Sequence, residues 1–235
     1  MAGLKTIEAG TMRIGSAFPN PPFELEREGA DTGFDAELMR AVCGQVGLRW
    51  RLLKYDGADF NGIFDGLRTG DYDAVISGTT ITPDREMVAL FSDPYLESGQ
   101  GLVVNTRAPH VASIADLLGQ VLGLRTGDSS DVVARQLLGD GMVGDLRYYP
   151  YGDVLEILDD LDEGRISGFM TLVPVATWLV QERPDLAVAE EVPTHERLGI
   201  AFAPGGVGLR DAVNQALTEC RRTGLLERLE RRWLR

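Results

Sequence analysis

Short apolar runs alternate with helix-patterned stretches along the whole chain, and this alternation constrains the fold more than any single residue does. Met12–Ala17 predicts a strand, Phe34–Val46 a helix with Gly47 just past its end, and Trp50–Lys54 a second strand. Asn61 is expected to cap a helix running to Arg68, with Gly70 as its stop, and Tyr72–Ile76 to form a third strand. The order β-α-β-α-β predicts an α/β architecture with a mostly parallel sheet. The pattern then recurs. Ser113–Leu118 predicts a short helix with a Ser113/Asp116 capping box, and Val121–Leu124, Leu146–Tyr149 and Ser167–Met170 predict strands. Helices are expected at Ser129–Leu138, Val154–Gly164 (opened by Asp153) and Val173–Gln181. A strand at Leu198–Ala203 and two helices, Leu209–Thr223 and Leu225–Leu234, close the chain. Two similar halves imply two lobes, with extended segments near Ser98–Val104 and Arg197–Phe202 as the crossings between them.

The segment from Val75 to Arg85 carries the clearest chemistry. An apolar strand runs into Ser77-Gly78-Thr79-Thr80, and a helix follows with Thr82 as N-cap, Pro83 at the first helical position and Arg85 one turn in. Threonine hydroxyls, backbone N–H groups and one guanidinium are thereby brought together. An Arg can hold a carboxylate through two parallel hydrogen bonds, so the segment is expected to grip a small anion. The loop Thr126-Gly127-Asp128-Ser129-Ser130 repeats the theme; it reads equally as ordinary capping. Gly139-Asp140-Gly141-Met142-Val143-Gly144 matches GxGxxG in letters only. It follows a helix and precedes a strand, the reverse of what a dinucleotide site needs.

Net charge of −13 argues against a nucleic-acid partner, which needs a basic footprint. The basic cluster Arg228, Arg231, Arg232 and Arg235 suits the C-terminus of a helix. No run approaches the roughly 18 apolar residues of a membrane span, and the first ten residues lack an apolar signal core. Two cysteines, Cys43 and Cys220, and two histidines, His110 and His195, leave no ligand cluster for zinc. From the residues alone, Cys43 and Cys220 are two separate buried thiols or, where helices meet in an oxidising compartment, a disulfide.

The motifs Pro21-Pro22-Phe23, Gly33-Phe34-Asp35, Asp59-Phe60-Asn61-Gly62-Ile63, Gly70-Asp71-Tyr72-Asp73-Ala74, Thr80–Arg85, Phe91-Ser92-Asp93-Pro94-Tyr95, Thr223-Gly224-Leu225 and Arg232-Trp233 occur here in one order. In that order and spacing, from Met12 to Trp233, the chain resembles the bacterial extracellular solute-binding proteins of family 3, the polar amino-acid receptors of ABC importers. The resemblance implies a type II periplasmic-binding-protein fold: two lobes, each a mostly parallel sheet flanked by helices, joined by two strands and closing on a ligand like a hinge. Lobe 1 would comprise residues 1–97 with 197–235, and lobe 2 residues 98–196. It further implies an exported monomer, periplasmic or lipid-anchored, whose signal sequence is absent from this chain. The expected partners are a small carboxylate ligand and an ABC transporter permease. No cofactor, metal or enzymatic activity is implied. The oxidising compartment favours a Cys43–Cys220 disulfide more than the residues alone do.

Carried over position by position, Arg85 would bind the ligand carboxylate, with Thr79 and Thr80 beside it in the cradle and Gly78 offering its carbonyl to a ligand donor. Phe60 would wall the pocket, and Asn20 would occupy a pocket position. In the second lobe Arg125 would take a pocket position and Ser129 would complete the carboxylate cradle. Two departures stand out. Where many members carry acids that meet an α-ammonium, this chain has Ala17 and, after Thr171, Leu172. A buried ammonium without a carboxylate is costly. The ligand is therefore expected to lack the amine, or Asp128 to be a relocated partner for it, or Asp128 to be a helix cap. Two alternatives share the fold: a sensor domain of a membrane signalling protein, and a cyclohexadienyl or arogenate dehydratase, for which Glu24, Asp128 or Glu97 would have to supply a general acid.

Overall fold

The computed structural model describes residues 4–107 and 111–234, so Met1, His110 and Arg235 lie outside the described residues. The chain divides into two compact units. Unit 1 is Met1–Asp56, Asn61–Glu97 and Glu196–Arg235; unit 2 is Gly57–Phe60 and Ser98–His195.

Unit 1 begins with β1 (Thr11–Ala17), the hairpin β2 (Leu25–Arg27) and β3 (Ala30–Thr32), α1 (Phe34–Gln45) and β4 (Arg49–Tyr55). It continues with α2 (Asp65–Thr69), β5 (Ala74–Val75), α3 (Pro83–Glu86) and β6 (Leu90–Phe91). β7 (Leu96–Asn105) leads into unit 2, which holds β8 (Val121–Arg125), α4 (Ser130–Gly139), β9 (Asp145–Tyr149), α5 (Val154–Asp162), β10 (Gly168–Leu172), α6 (Val173–Glu182) and β11 (Leu186–Leu198). The chain returns to unit 1 with β12 (Ala201–Phe202), α7 (Val207–Arg222) and α8 (Leu225–Trp233).

The sheet of unit 1 has the order β4-β1-β5-β12-β6; β1 runs parallel to β4 and β5, and β12 antiparallel to β5 and β6. The sheet of unit 2 has the order β11-β7-β10-β8-β9; β8 is parallel to β9 and β10, and β10 antiparallel to β7. Both are α/β units, as the alternation requires. In unit 1, α1 buries Phe34, Leu38, Met39, Val42 and Cys43, the one-sided spacing of an amphipathic helix, and packs on β4, α7 and α8. In unit 2, Leu102, Leu117, Leu122, Leu124 and Met170 form a core with no exposure. Each such side chain contributes about 1.5–3 kcal/mol by leaving water.

Several expectations need correction. Asn61 is not a cap: the segment opens as a 3-10 turn, Phe60–Phe64, and Asn61 spends its side-chain oxygen on Arg85. Gly70 does end α2, with φ +82°. The strand expected at Tyr72–Ile76 contracts to β5, and the Tyr72 ring packs where a Cβ on Gly15 or Gly66 would sit. Neither Ser129 nor Asp153 caps its helix through a side chain. The hairpin β2–β3 and the thirteen residues of β11 had no sequence signature as strands. β11 lies at the edge of its sheet and carries Pro193, a residue that edge strands tolerate and central strands do not. The Ser113/Asp116 capping box is present, and Gly139–Gly144 is the turn from α4 to β9.

Cys43 and Cys220 are free thiols, not a disulfide. Cys43 faces the Met12 sulfur at 3.9 Å and Cys220 accepts from the Gln45 amide at 3.3 Å. Burial pushes the Cys43 thiol up to about 12, an unreactive state. Arg231 and Arg232 lie in the last turn of α8, as the basic cluster predicted. Among the described residues no helix is long and apolar enough to cross a membrane, and no three His, Cys, Asp or Glu side chains group as metal ligands.

Candidate functional site

In unit 1 the strand-to-helix segment folds as its sequence dictates. Thr82 is extended and its hydroxyl accepts from the Arg85 N–H at 3.3 Å, with Pro83 opening α3. This fixes the backbone of Arg85, which is 7% exposed. Its Nη1 donates to the Thr80 carbonyl at 2.9 Å, its Nε donates to Asn61 Oδ1 at 3.1 Å, and its guanidinium carbon lies 5.6 Å from the centre of the Phe64 ring. Both of these acceptors are neutral oxygens, and they orient the guanidinium. A held cation of this kind suits a carboxylate.

Thr80 is lashed to the returning chain. It forms a β-bridge with Leu198, while Ile81 N–H donates to the Arg197 carbonyl at 2.7 Å and Gly199 N–H to the Thr79 carbonyl at 2.9 Å. The Thr80 hydroxyl donates to Glu196 Oε2 at 2.8 Å. Thr79 turns the other way: its hydroxyl accepts from the Ser77 N–H at 3.1 Å, and the residue has no exposure. It shapes the loop from within. Gly78 takes φ +54°, and a Cβ there would meet the Phe23 ring at 2.8 Å, so only glycine suits the position.

Beneath this loop lies a pair of acids. The Gly78 N–H donates to Asp35 Oδ2 at 2.6 Å, and the Tyr95 hydroxyl donates to the same oxygen at 2.9 Å. Ser77 donates to Glu24 Oε2 at 3.3 Å and links both to β1 through Ala17. Glu24 and Asp35 have no exposure. Burial raises Glu24 well above the usual carboxylate range, and the Asp35 charge adds to it. Burial also pushes Asp35 up to about 7, against the Gly78 N–H and Tyr95 hydroxyl, which hold it down. Burial of both acids thus favours the protonated form of the pair. Asn20 is buried in the adjoining turn, where its backbone pairs with Glu24.

In unit 2 the corresponding network is ionic. Arg125, at the end of β8, is 2% exposed. Its Nε and Nη2 both donate to Asp128 Oδ2, at 3.1 and 2.9 Å, and Nη2 also donates to the Thr171 hydroxyl at 3.1 Å. The guanidinium carbon lies 4.2 Å from the centre of the Tyr151 ring. Phe60 packs on that same Tyr151 at 4.9 Å between ring centres, held by its N–H to the Thr126 carbonyl. Asp128 is thus the counter-ion of Arg125; its approach to a helix N–H, Ser130 at 3.5 Å, is at the limit of a hydrogen bond. The Ser129 hydroxyl accepts from the Gln100 amide at 3.2 Å. Leu172 is buried at the end of β10, paired in register with Gln100.

Among the residues expected from sequence, Gly78, Thr80 and Arg85 therefore assemble in unit 1, and Phe60, Arg125, Asp128, Ser129 and Thr171 in unit 2. Asn61, Glu196, Gln100 and Tyr151 join them without having been singled out for these roles. Of these, Asn61 lay in a motif quoted above but was read as a helix cap, and Tyr151 follows a predicted strand.

The chain matches the sequence model of a family described as bacterial extracellular solute-binding proteins, family 3, over residues 12–235. It is 28% identical over 231 residues to the ABC transporter arginine-binding protein 1 of Escherichia coli (strain K12), covering 96% of this chain and 91% of that protein. It is 31% identical over 234 residues to the L-cystine-binding protein TcyJ of the same strain, covering 97% of this chain and 84% of that protein. An ancestral arginine-binding protein bound to arginine superposes with a TM-score of 0.86 at 30% identity, covering 96% of this chain and 99% of that one.

Proposed function

We propose that this chain, which belongs to the bacterial extracellular solute-binding proteins, family 3, captures a small amino acid through its carboxylate and hands it to an ABC transporter permease. The observation that carries this reading is Arg85: a nearly buried guanidinium aimed by two neutral oxygens, Thr80 carbonyl and Asn61 Oδ1, and backed by the Phe64 ring. Arginine- and cystine-binding proteins are among the relatives, and both of those ligands carry a carboxylate beside an ammonium. That argues for an amino acid over the amine-free acid suggested by Ala17 and Leu172. Capture outside the cytoplasm, a monomeric state and hinge closure on the ligand are parts of the same proposal.

Two of the three acids considered for the dehydratase alternative do not suit it. Glu24 is sealed beneath the Gly78 loop, and Asp128 is tied to Arg125. A general acid must reach the proton it delivers.

Native mass spectrometry of the freshly purified protein, followed by calorimetry with L-arginine, L-cystine and L-histidine, tests the reading. Arg85→Ala is expected to weaken binding of any of these by about a hundredfold or more, the loss expected when a charged hydrogen-bonding partner is deleted. Arg85→Lys keeps the charge and loses the two-point geometry, and should recover only part. Unchanged affinity in Arg85→Ala would remove the carboxylate cradle.

A further inference from the structure

Unit 1 holds a cation and an anion on one residue, and that juxtaposition defines the ligand more closely than Arg85 alone. Resting on the reading of Arg85 as the carboxylate anchor, we infer that Glu196 is the acceptor of the ligand's ammonium and sets the preference for amino acids over amine-free acids.

The geometry comes from the lashing of residues 79–81 to residues 197–199. The Thr80–Leu198 bridge and the Ile81 to Arg197 hydrogen bond put Leu198 opposite Thr80 and residue 196 two positions along, on the same face and within diagonal reach of the Thr80 side chain. The Thr80 side chain then reaches Glu196 Oε2 at 2.8 Å, while its carbonyl receives Arg85 Nη1 at 2.9 Å. A guanidinium and a carboxylate are thus held through the two polar ends of one threonine. An α-amino acid presents the complement: a carboxylate and an ammonium on one carbon.

Glu24, Asp35 and Asp128 are committed elsewhere. Glu24 and Asp35 have no exposure and are occupied by Ser77, Gly78 and Tyr95. Asp128, in unit 2, gives one oxygen to both Nε and Nη2 of Arg125. An ammonium brought to that oxygen would meet the repulsion of the guanidinium. Glu196 is half-buried, a position from which a carboxylate reaches a ligand and still escapes most of the desolvation penalty of the interior. Ala17 and Leu172 are apolar and buried and offer an ammonium nothing.

The test is isothermal calorimetry with three matched pairs of probes: L-arginine, L-histidine and L-cystine, each beside its des-amino analogue. The wild type should favour the amino-acid member of at least one pair by about tenfold or more, the order expected for one charge-assisted hydrogen bond. Glu196→Gln should lower that amino acid's affinity by about tenfold to a hundredfold, leave the des-amino analogue unchanged, and so erase the preference. Glu196→Asp keeps the charge on a shorter arm and should fall between the two. Thermal unfolding of both variants confirms that they are folded before binding is compared. A full preference retained in Glu196→Gln overturns the assignment while leaving Arg85 in place. A wild type with no preference overturns it as well. Absence of binding by all six probes removes the amino-acid reading on which it rests, and an Arg85→Ala protein that still binds both members of a pair removes the anchor alone.

Discussion

The two units bury acids in opposite ways. In unit 1, Glu24 and Asp35 lie together and are met by neutral donors, Ser77, Gly78 and Tyr95 among them. In unit 2, each buried acid has guanidinium partners: Asp128 has Arg125, and Asp160 has Arg147 and Arg165 as well as the Tyr149 hydroxyl. The first arrangement is stable with a proton in it, the second without one. The same residue type therefore responds to pH in opposite directions within one chain.

The comparison breaks most visibly at Asp128. Asp128→Asn leaves Arg125 buried without its counter-ion, and should cost about 3–5 kcal/mol in urea unfolding. Replacing both, Arg125→Met with Asp128→Leu, should cost much less, since removing a buried pair outright spares the uncompensated charge. If the double replacement is as damaging as the single one, the ion pair itself holds unit 2 together and the contrast with unit 1 is deeper than argued.

A smaller effect concerns the acid pair of unit 1. Asp35 has a folded value near 7, above the 3.8 of the free side chain, so the native state binds more protons than the unfolded one between those limits. Its stabilising contribution is complete below about pH 4 and is lost as pH rises through about 7. The loss is a few kcal/mol at most. Glu24→Gln removes the neighbouring acid and should flatten this dependence. Thermal midpoints measured from pH 4 to pH 8 check it, and an unchanged slope would show that the two carboxyls do not act together.

The smallest effect is the reverse limb in unit 2. Asp160 is held down to about 2, first by the Tyr149 hydroxyl and then by the Arg147 and Arg165 guanidinium groups. Its contribution is present above about pH 4 and is lost as pH falls through about 2. Because Arg147 and Arg165 are 43% and 44% exposed, that contribution is on the order of 1 kcal/mol. Asp160→Asn should remove it, and hydrogen exchange of α5 and β9 between pH 4 and pH 2.5 reads it.

Legibility from sequence followed the range of the interactions. Thr82, Pro83 and Arg85 are neighbours, and their geometry could be read because capping chemistry is local. Asn61 was misread for an equally local reason: the amide that caps a helix is the amide that orients a guanidinium, and only the fold decides which. Glu196 gains its place from a strand pairing that spans more than a hundred residues, and nothing beside it in the sequence announces that pairing. β11 left no strand signature because its exposed face is charged and it contains a proline, which are the properties of a sheet edge. Asp128 was open among three roles and took a fourth, though Arg125 stood three residues before it.

The position of β12 also bears on how the chain is made. This two-residue strand lies inside the unit 1 sheet, between β5 and β6, yet both of those neighbours are translated more than a hundred residues earlier. Every strand of the unit 2 sheet precedes β12 in the chain. Growing from its N-terminus, the polypeptide can finish its second-encoded body first, while its first-encoded body waits with a gap in the middle of its sheet. The half that carries Arg85 is thus the last to mature, and it does so only when the segment bearing Glu196 arrives.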